Sequence, residues 1–220
     1  MRVSVYIDGF NLYYRAVKDT PYRWLNLGAL VNLLLPDHEV HRIRYFTARV
    51  VARSGDAGQP SRQNTYLRAL ETVPHLTIQY GHFLSKRKRR PLVNPPPSGP
   101  RTVEVWDTEE KGSDVNLASL LLSDGYAGDY EMAVVVTNDS DLELPIRLVR
   151  DLLQLPVGVF DPGTNRGFAL AASATWYRRL RRGPIQASQF PDTLSDAKGL
   201  ITKPPGWRTP ATGVLDRISP

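Results

Sequence analysis

The chain contains no cysteine. Disulfides, thiolate zinc sites, iron–sulfur clusters and cysteine nucleophiles are excluded together, and a cytoplasmic location is expected. Histidine is scarce: His38, His41, His75 and His82 show no metal-ligand spacing and read as surface or strand residues. No glycine-rich phosphate loop is present. Ser140 has no histidine in a partner motif, so a serine nucleophile is not expected. The longest apolar runs, such as Leu33-Leu34-Leu35, are far too short to cross a bilayer, so no membrane partner is expected. The N-terminus runs straight into a strand pattern, so no secretory leader is expected either.

What is present is one sizeable core's worth of chain, 220 residues with a net charge of +6. The excess charge is local. Lys86, Arg87, Lys88, Arg89, Arg90 and Arg101 supply six positive charges with no acid between positions 86 and 101, and the remaining chain is balanced. A clustered basic segment is the usual footprint of a polyanion, although a solvated loop looks the same.

Apolar strand patterns alternate with helical ones. Strands are expected at 3–7, 40–51, 76–80, 132–136 and 157–160. Helices are expected at 12–18, 27–35, 61–72, from Gly112, at 142–153 and at 169–182. The turn-rich stretch 53–60 separates two of them. The helix after Gly112 is apolar nearly all round, which predicts full burial. Residues 85–101 are basic and then proline-rich, an insertion with no core element, returning as an extended arm from Arg101 to Trp106. Beyond Gly183 prolines punctuate a polar tail, expected to lie partly on the surface or to be disordered. The division that follows is a domain over 1–182 and a C-terminal extension over 183–220. Alternating strands and helices imply an α/β fold with a mainly parallel sheet covered on both faces.

Two strand patterns end in acids. Val3-Ser4-Val5-Tyr6-Ile7 runs into Asp8-Gly9-Phe10-Asn11, and Val134-Val135-Val136 runs into Thr137-Asn138-Asp139-Ser140-Asp141. In an open α/β sheet the functional crevice lies beyond the carboxyl ends of the strands. If the two strands are neighbours, Asp8, Asp139 and Asp141 converge, with Asp114 at the start of a helix as the fourth acid. Four close carboxylates repel unless cations lie among them, and oxygen-only ligands favour Mg²⁺ or Mn²⁺. Each aspartate also lies near a helix start, where capping alone accounts for one acid. Asn11 is either a cap or a hydrogen-bonding partner of a phosphate or a metal-bound water. Lys111 stands beside the acidic rim as a candidate phosphate contact. Tyr13, Tyr14, Trp24, Tyr45 and Trp106 are candidates to stack on bases, in competition with ordinary core roles.

Three ordered motifs resemble the NYN domain, the branch of PIN-like nucleases that includes bacterial LabA-like proteins, formerly a domain of unknown function. They are Ile7-Asp8-Gly9-Phe10-Asn11-Leu12, Lys111-Gly112-Ser113-Asp114-Val115-Asn116-Leu117-Ala118 and Val136-Thr137-Asn138-Asp139-Ser140-Asp141-Leu142. The resemblance implies a three-layer α/β/α sandwich with a central parallel sheet of about five strands. It implies a metal-dependent endoribonuclease leaving 5′-phosphate and 3′-hydroxyl ends, with Asp8, Asp114, Asp139 and Asp141 as Mg²⁺ or Mn²⁺ ligands and Asn11 as the polar residue of the first motif. The third motif departs from the family's common Ser-Gly-Asp-Ser-Asp-Phe at Asn138, a change expected to alter the turn. The basic segment Lys86–Arg90 would then hold single-stranded or structured RNA. Two other readings stay open: an RNA- or protein-binding module that kept the fold without catalysis, and a metal-dependent phosphatase. Oligomeric state is open, with a homodimer among the options.

Overall fold

A computed structural model describes residues 1–52, 55–165 and 167–207. Its first strand, β1 (Arg2–Asp8), is followed by α1 (Gly9–Leu12) and a single π-helical turn over Tyr13–Val17. Then come α2 (Leu27–Leu34), β2 (Glu39–Thr47), α3 (Gln59–Leu70) and β3 (Leu76–Tyr80). A long hairpin, β4 (His82–Pro91) and β5 (Thr102–Lys111), precedes α4 (Ser113–Tyr126). The chain continues through β6 (Met132–Val136), a 3₁₀ turn at Ser140–Leu142, α5 (Glu143–Leu152) and β7 (Val157–Asp161). It ends with α6 (Phe168–Ser173), β8 (Trp176–Arg179), α7 (Arg182–Ala187) and the small hairpin β9 (Thr193–Asp196) and β10 (Gly199–Thr202).

Six strands form one parallel sheet in the order β3-β2-β1-β6-β7-β8. Strand order reverses between β1 and β6, which pair from Val3 opposite Met132 to Ile7 opposite Val136. Alternation along β1 sends Val3, Val5 and Ile7 to one face and Tyr6 to the other. The first face packs under Leu27, Leu30, Leu67 and Leu70 of α2 and α3. The second packs under Leu117, Leu121, Ile146 and Leu170 of α4, α5 and α6. The result is the three-layer α/β/α sandwich expected, with six strands instead of about five.

The sixth strand is where the pattern reading fails. Residues 169–182 are not one helix: α6 stops at Ser173 and Trp176–Arg179 joins the sheet edge. Gly158 of β7 lies opposite Trp176, and a Cβ at Gly158 would collide with the indole. The bare backbone of one strand is thus covered by the ring of the next, a pairing that helical spacing cannot reveal. The helix after Gly112 is also less buried than its composition suggested. Leu117 and Leu121 are buried, but Val115 is 68% exposed, so α4 packs on one side only.

The proline-rich segment is shorter than expected, because β4 carries the basic run as regular strand and β5 returns antiparallel from Thr102. Past Gly183 the chain is not a surface appendage. Ile185, Phe190, Ile201 and Trp207 enter the core on the α2–α3 side. The remainder of the proline-punctuated tail, 208–220, and Arg53 and Ser54 of the turn-rich stretch lie outside the described residues. Among the described residues, no helix is long and apolar enough to cross a membrane.

Candidate metal centre

The crevice beyond β1 and β6 is built by two turns that fasten each other. Asp8 ends β1 and caps α1, its Oδ1 accepting from the Asn11 amide at 3.0 Å. The opposite oxygen, Oδ2, accepts from the Thr137 hydroxyl at 3.1 Å. That hydroxyl in turn accepts from the Asp139 amide at 3.0 Å, and the Asn11 side-chain oxygen accepts from the Asn138 amide at 2.9 Å. Gly9 is required by close approach, since a Cβ there would lie 2.5 Å from the Phe46 carbonyl oxygen and 2.6 Å from the Tyr45 ring. Asp139 caps the 3₁₀ turn through the Asp141 amide at 3.0 Å.

Asp114 arrives from α4. The helix starts at Gly112, whose φ of 98° is left-handed and suits glycine. This places one carboxylate oxygen each of Asp8, Asp114 and Asp139 within 4.8 Å of one another. Two oxygens on opposite sides of an Mg²⁺ ion lie about 4 Å apart, so three hard oxygen donors at this spacing fit a small divalent cation. Electrostatics agree. Burial pushes the Asp8 carboxyl up to about 6; hydrogen bonds from Asn11 and Thr137 oppose the rise, and the charges of Asp114 and Asp139 add to it. Asp114 is also raised, first by burial and then by Asp139, Glu110 and Asp141. Protons or a cation would relieve this repulsion.

The cavity over these acids measures about 330 Å³. Its walls add three rings, Phe10, Tyr14 and Phe83, a cation, Arg15, and a further acid, Glu110. Glu110, next to last in β5, accepts from the Ser113 amide at 3.2 Å.

Sheet order, motif spacing and this acid cluster meet in one comparison: the model of the NYN domain family matches residues 2–177. The chain belongs to the NYN domain family. The family carries a nuclease-like fold, and the acid cluster is compatible with a divalent metal. Among curated proteins, this NYN chain is 33% identical to 6-hydroxy-3-succinoylpyridine 3-monooxygenase HspA of Pseudomonas putida, over 94% of its own length and 75% of the relative's. Among solved structures it resembles a Vibrio parahaemolyticus protein of unknown function, with a TM-score of 0.53 at 12% identity. That match covers 82% of this chain and 93% of the other, and it concerns the fold alone.

Within this NYN domain the sequence-expected residues divide. Asp8, Asn11, Asp114 and Asp139 line the cavity together. Asp141 is exposed and stands outside the cluster of three, although its charge is felt at Asp114. Lys111 does not line the cavity; it pairs with Glu109 at 2.8 Å. Lys86 to Arg90 lie on the hairpin, whose base reaches the cavity at Phe83. Of the aromatic candidates, Trp24 is fully buried and Tyr45 nearly so, whereas Tyr14 and Trp106 are exposed. Glu110 and Arg15 were missed. Glu110 had a signal, an acid four positions before Asp114, but Arg15 had none.

Asn138 occupies its turn with an ordinary, negative φ. Among the described non-glycine residues only His75 and Gln154 have positive φ, so position 138 has no need of glycine. The Asn138 side chain sits against Gly163 and Gly167, where a Cβ on either would crowd it.

Proposed function

We propose that this protein is a metal-dependent phosphodiester hydrolase acting on RNA. The observation that carries the reading is the convergence of Asp8, Asp114 and Asp139 at metal-ligand spacing in the crevice between β1 and β6. Mg²⁺ or Mn²⁺ bound there would activate water and neutralise charge on the scissile phosphate. The chain's own part is preorganisation. Asp8 and Asp139 are held by hydrogen bonds through Thr137 and Asn11, so little rearrangement is needed when substrate arrives. Arg15 supplies a positive wall for a phosphate, Phe10, Tyr14 and Phe83 offer ring faces to flanking bases, and Asp141 adjusts the field of the site. The basic hairpin guides the strand towards the cavity.

Incubating the purified protein with Mn²⁺ and end-labelled single-stranded and structured RNA should yield 5′-phosphate and 3′-hydroxyl products. Asp139→Asn should abolish them with the fold intact. A second reading is favoured by the Pseudomonas relative, whose name is that of a monooxygenase acting on a hydroxylated succinoylpyridine. On that reading the same crevice serves oxygenation of a small aromatic acid. RNA left intact in Mn²⁺, together with oxygen uptake that depends on such a pyridine and a reductant, would replace the first reading with the second.

A further inference from the structure

A second cavity, about 130 Å³, lies on the other side of α1. It is close to the size that admits one benzene ring, about 150 Å³ in an engineered apolar cavity. Tyr13, Tyr45, Tyr66 and Trp207 wall it with rings, and Arg23 and Arg62 enter the same wall. The two arginines differ. Arg62 is paired with Asp56, another wall residue. Arg23 forms no ion pair among the described residues. One guanidinium nitrogen donates to the Gly206 carbonyl at 2.8 Å, the group lies 5.7 Å from the Trp207 ring centroid, and Nε is buried with no acceptor. A buried, uncompensated guanidinium nitrogen is costly, and an anion is the partner that satisfies both its charge and its donor. Tyr13 sits in the same field: burial raises its hydroxyl's pKa, and the charges of Arg23 and Arg62 oppose that rise.

We propose that this cavity binds a planar aromatic ring carrying an anionic group, the ring stacked among Tyr13, Tyr66 and Trp207 and the anion against Arg23. Ring faces and one unsatisfied cation at this size select a single aromatic ring over an aliphatic acid of equal charge. Phe10 and Tyr14 line both this cavity and the acidic one, with their rings stacked at 6.4 Å between centroids. The site therefore shares a wall with the metal centre but uses none of its acids. The proposal goes beyond the hydrolase reading and does not depend on it. The same chemistry is presented by a free aromatic acid and by a nucleotide.

The test is calorimetric titration of the full chain, without metal, with 4-hydroxybenzoate, with its neutral analogue 4-hydroxybenzyl alcohol, with cyclohexanecarboxylate and with uridine monophosphate. At least one aromatic anion should bind at least tenfold more tightly than the neutral ring and the aliphatic acid. Arg23→Gln should weaken that binding at least tenfold while leaving the melting temperature near that of the parent. Asp139→Asn should leave the binding unchanged, so a failure of RNA cleavage does not touch this result. Binding of 4-hydroxybenzoate alone assigns a free aromatic acid, and binding of the nucleotide alone assigns a nucleotide. Equal binding of charged and neutral rings, no binding at millimolar concentration, or indifference to Arg23→Gln would overturn the proposal.

Discussion

Asp8 is held against its own ionisation, and stability should record it. Its folded-state pKa, about 6, lies above the ordinary 3.8, so between these values the folded chain keeps a proton that the unfolded chain has released. Stability therefore falls as pH rises through that window, by about 3 kcal/mol at most. Asp8→Asn keeps an oxygen for the Asn11 amide and removes the charge. In metal-free buffer it should raise the melting temperature above about pH 7 and leave it unchanged below about pH 4. Added Mn²⁺ should raise that of the parent chain at neutral pH and not that of the variant. A variant no more stable than its parent at neutral pH would mean that the Asp8 environment is not strained by charge. Asp8, Asp114 and Asp139 were legible because an acid at the end of an apolar strand or the start of a helix has its position set by local pattern. Glu110 depends on the register of a hairpin, and Arg15 on a π-helical turn that shifts the side chains after Leu12. Neither is written in local periodicity.

The hairpin of β4 and β5 shows what an element does to a charge run. Its ten-residue strands extend about 33 Å. Antiparallel register brings the acids of β5 beside the cations of β4. Asp107 takes Lys88 at 3.4 Å and Arg90 at 3.0 Å, and Glu104 lies 3.9 Å from Arg87. The sequence showed six uncompensated cations; the folded arm leaves Lys86, Arg89 and Arg101 without an ion pair among the described residues. If the arm guides RNA, these carry the salt dependence. Lys86→Ala with Arg89→Ala should lower affinity and reduce the slope of log K against log salt by about 1.4, at about 0.7 per single-strand phosphate contact. Lys88→Ala with Arg90→Ala should change the slope less, since both cations already face Asp107. Fluorescence anisotropy over a salt series measures both, and equal slopes in the two pairs would refute this division of labour. Element type was legible at β3 and β6, short strands rich in β-branched residues, whose bounds match the expectation. It was illegible at β8, where the partner strand overrode helical spacing.

At the scale of the molecule, the family match ends at residue 177 while the core does not. Trp24, 0% exposed, is enclosed by Phe190 at 5.6 Å and Trp207 at 6.2 Å between ring centroids, and its indole nitrogen donates to the Pro191 carbonyl at 2.8 Å. Arg68 of α3 is tied to Asp196 of β9 at 2.5 Å. Proline-rich composition suggested a tail because it interrupts periodicity, yet isolated apolar residues at 185, 190, 201 and 207 suffice to close one layer of the sandwich. The face that α2 and α3 present to them would otherwise meet water. A chain ending at residue 182 should therefore lack a cooperative thermal transition, although it spans the whole family match. Trp207→Ala in the full chain should cost about 3–5 kcal/mol by chemical denaturation, the usual range for removing a buried aromatic side chain. It should also open the aromatic cavity beside α1, lowering affinity for an aromatic anion without altering metal affinity at Asp8, Asp114 and Asp139. Cooperative melting of the 1–182 chain near the temperature of the full chain would show instead that the closing segment is dispensable.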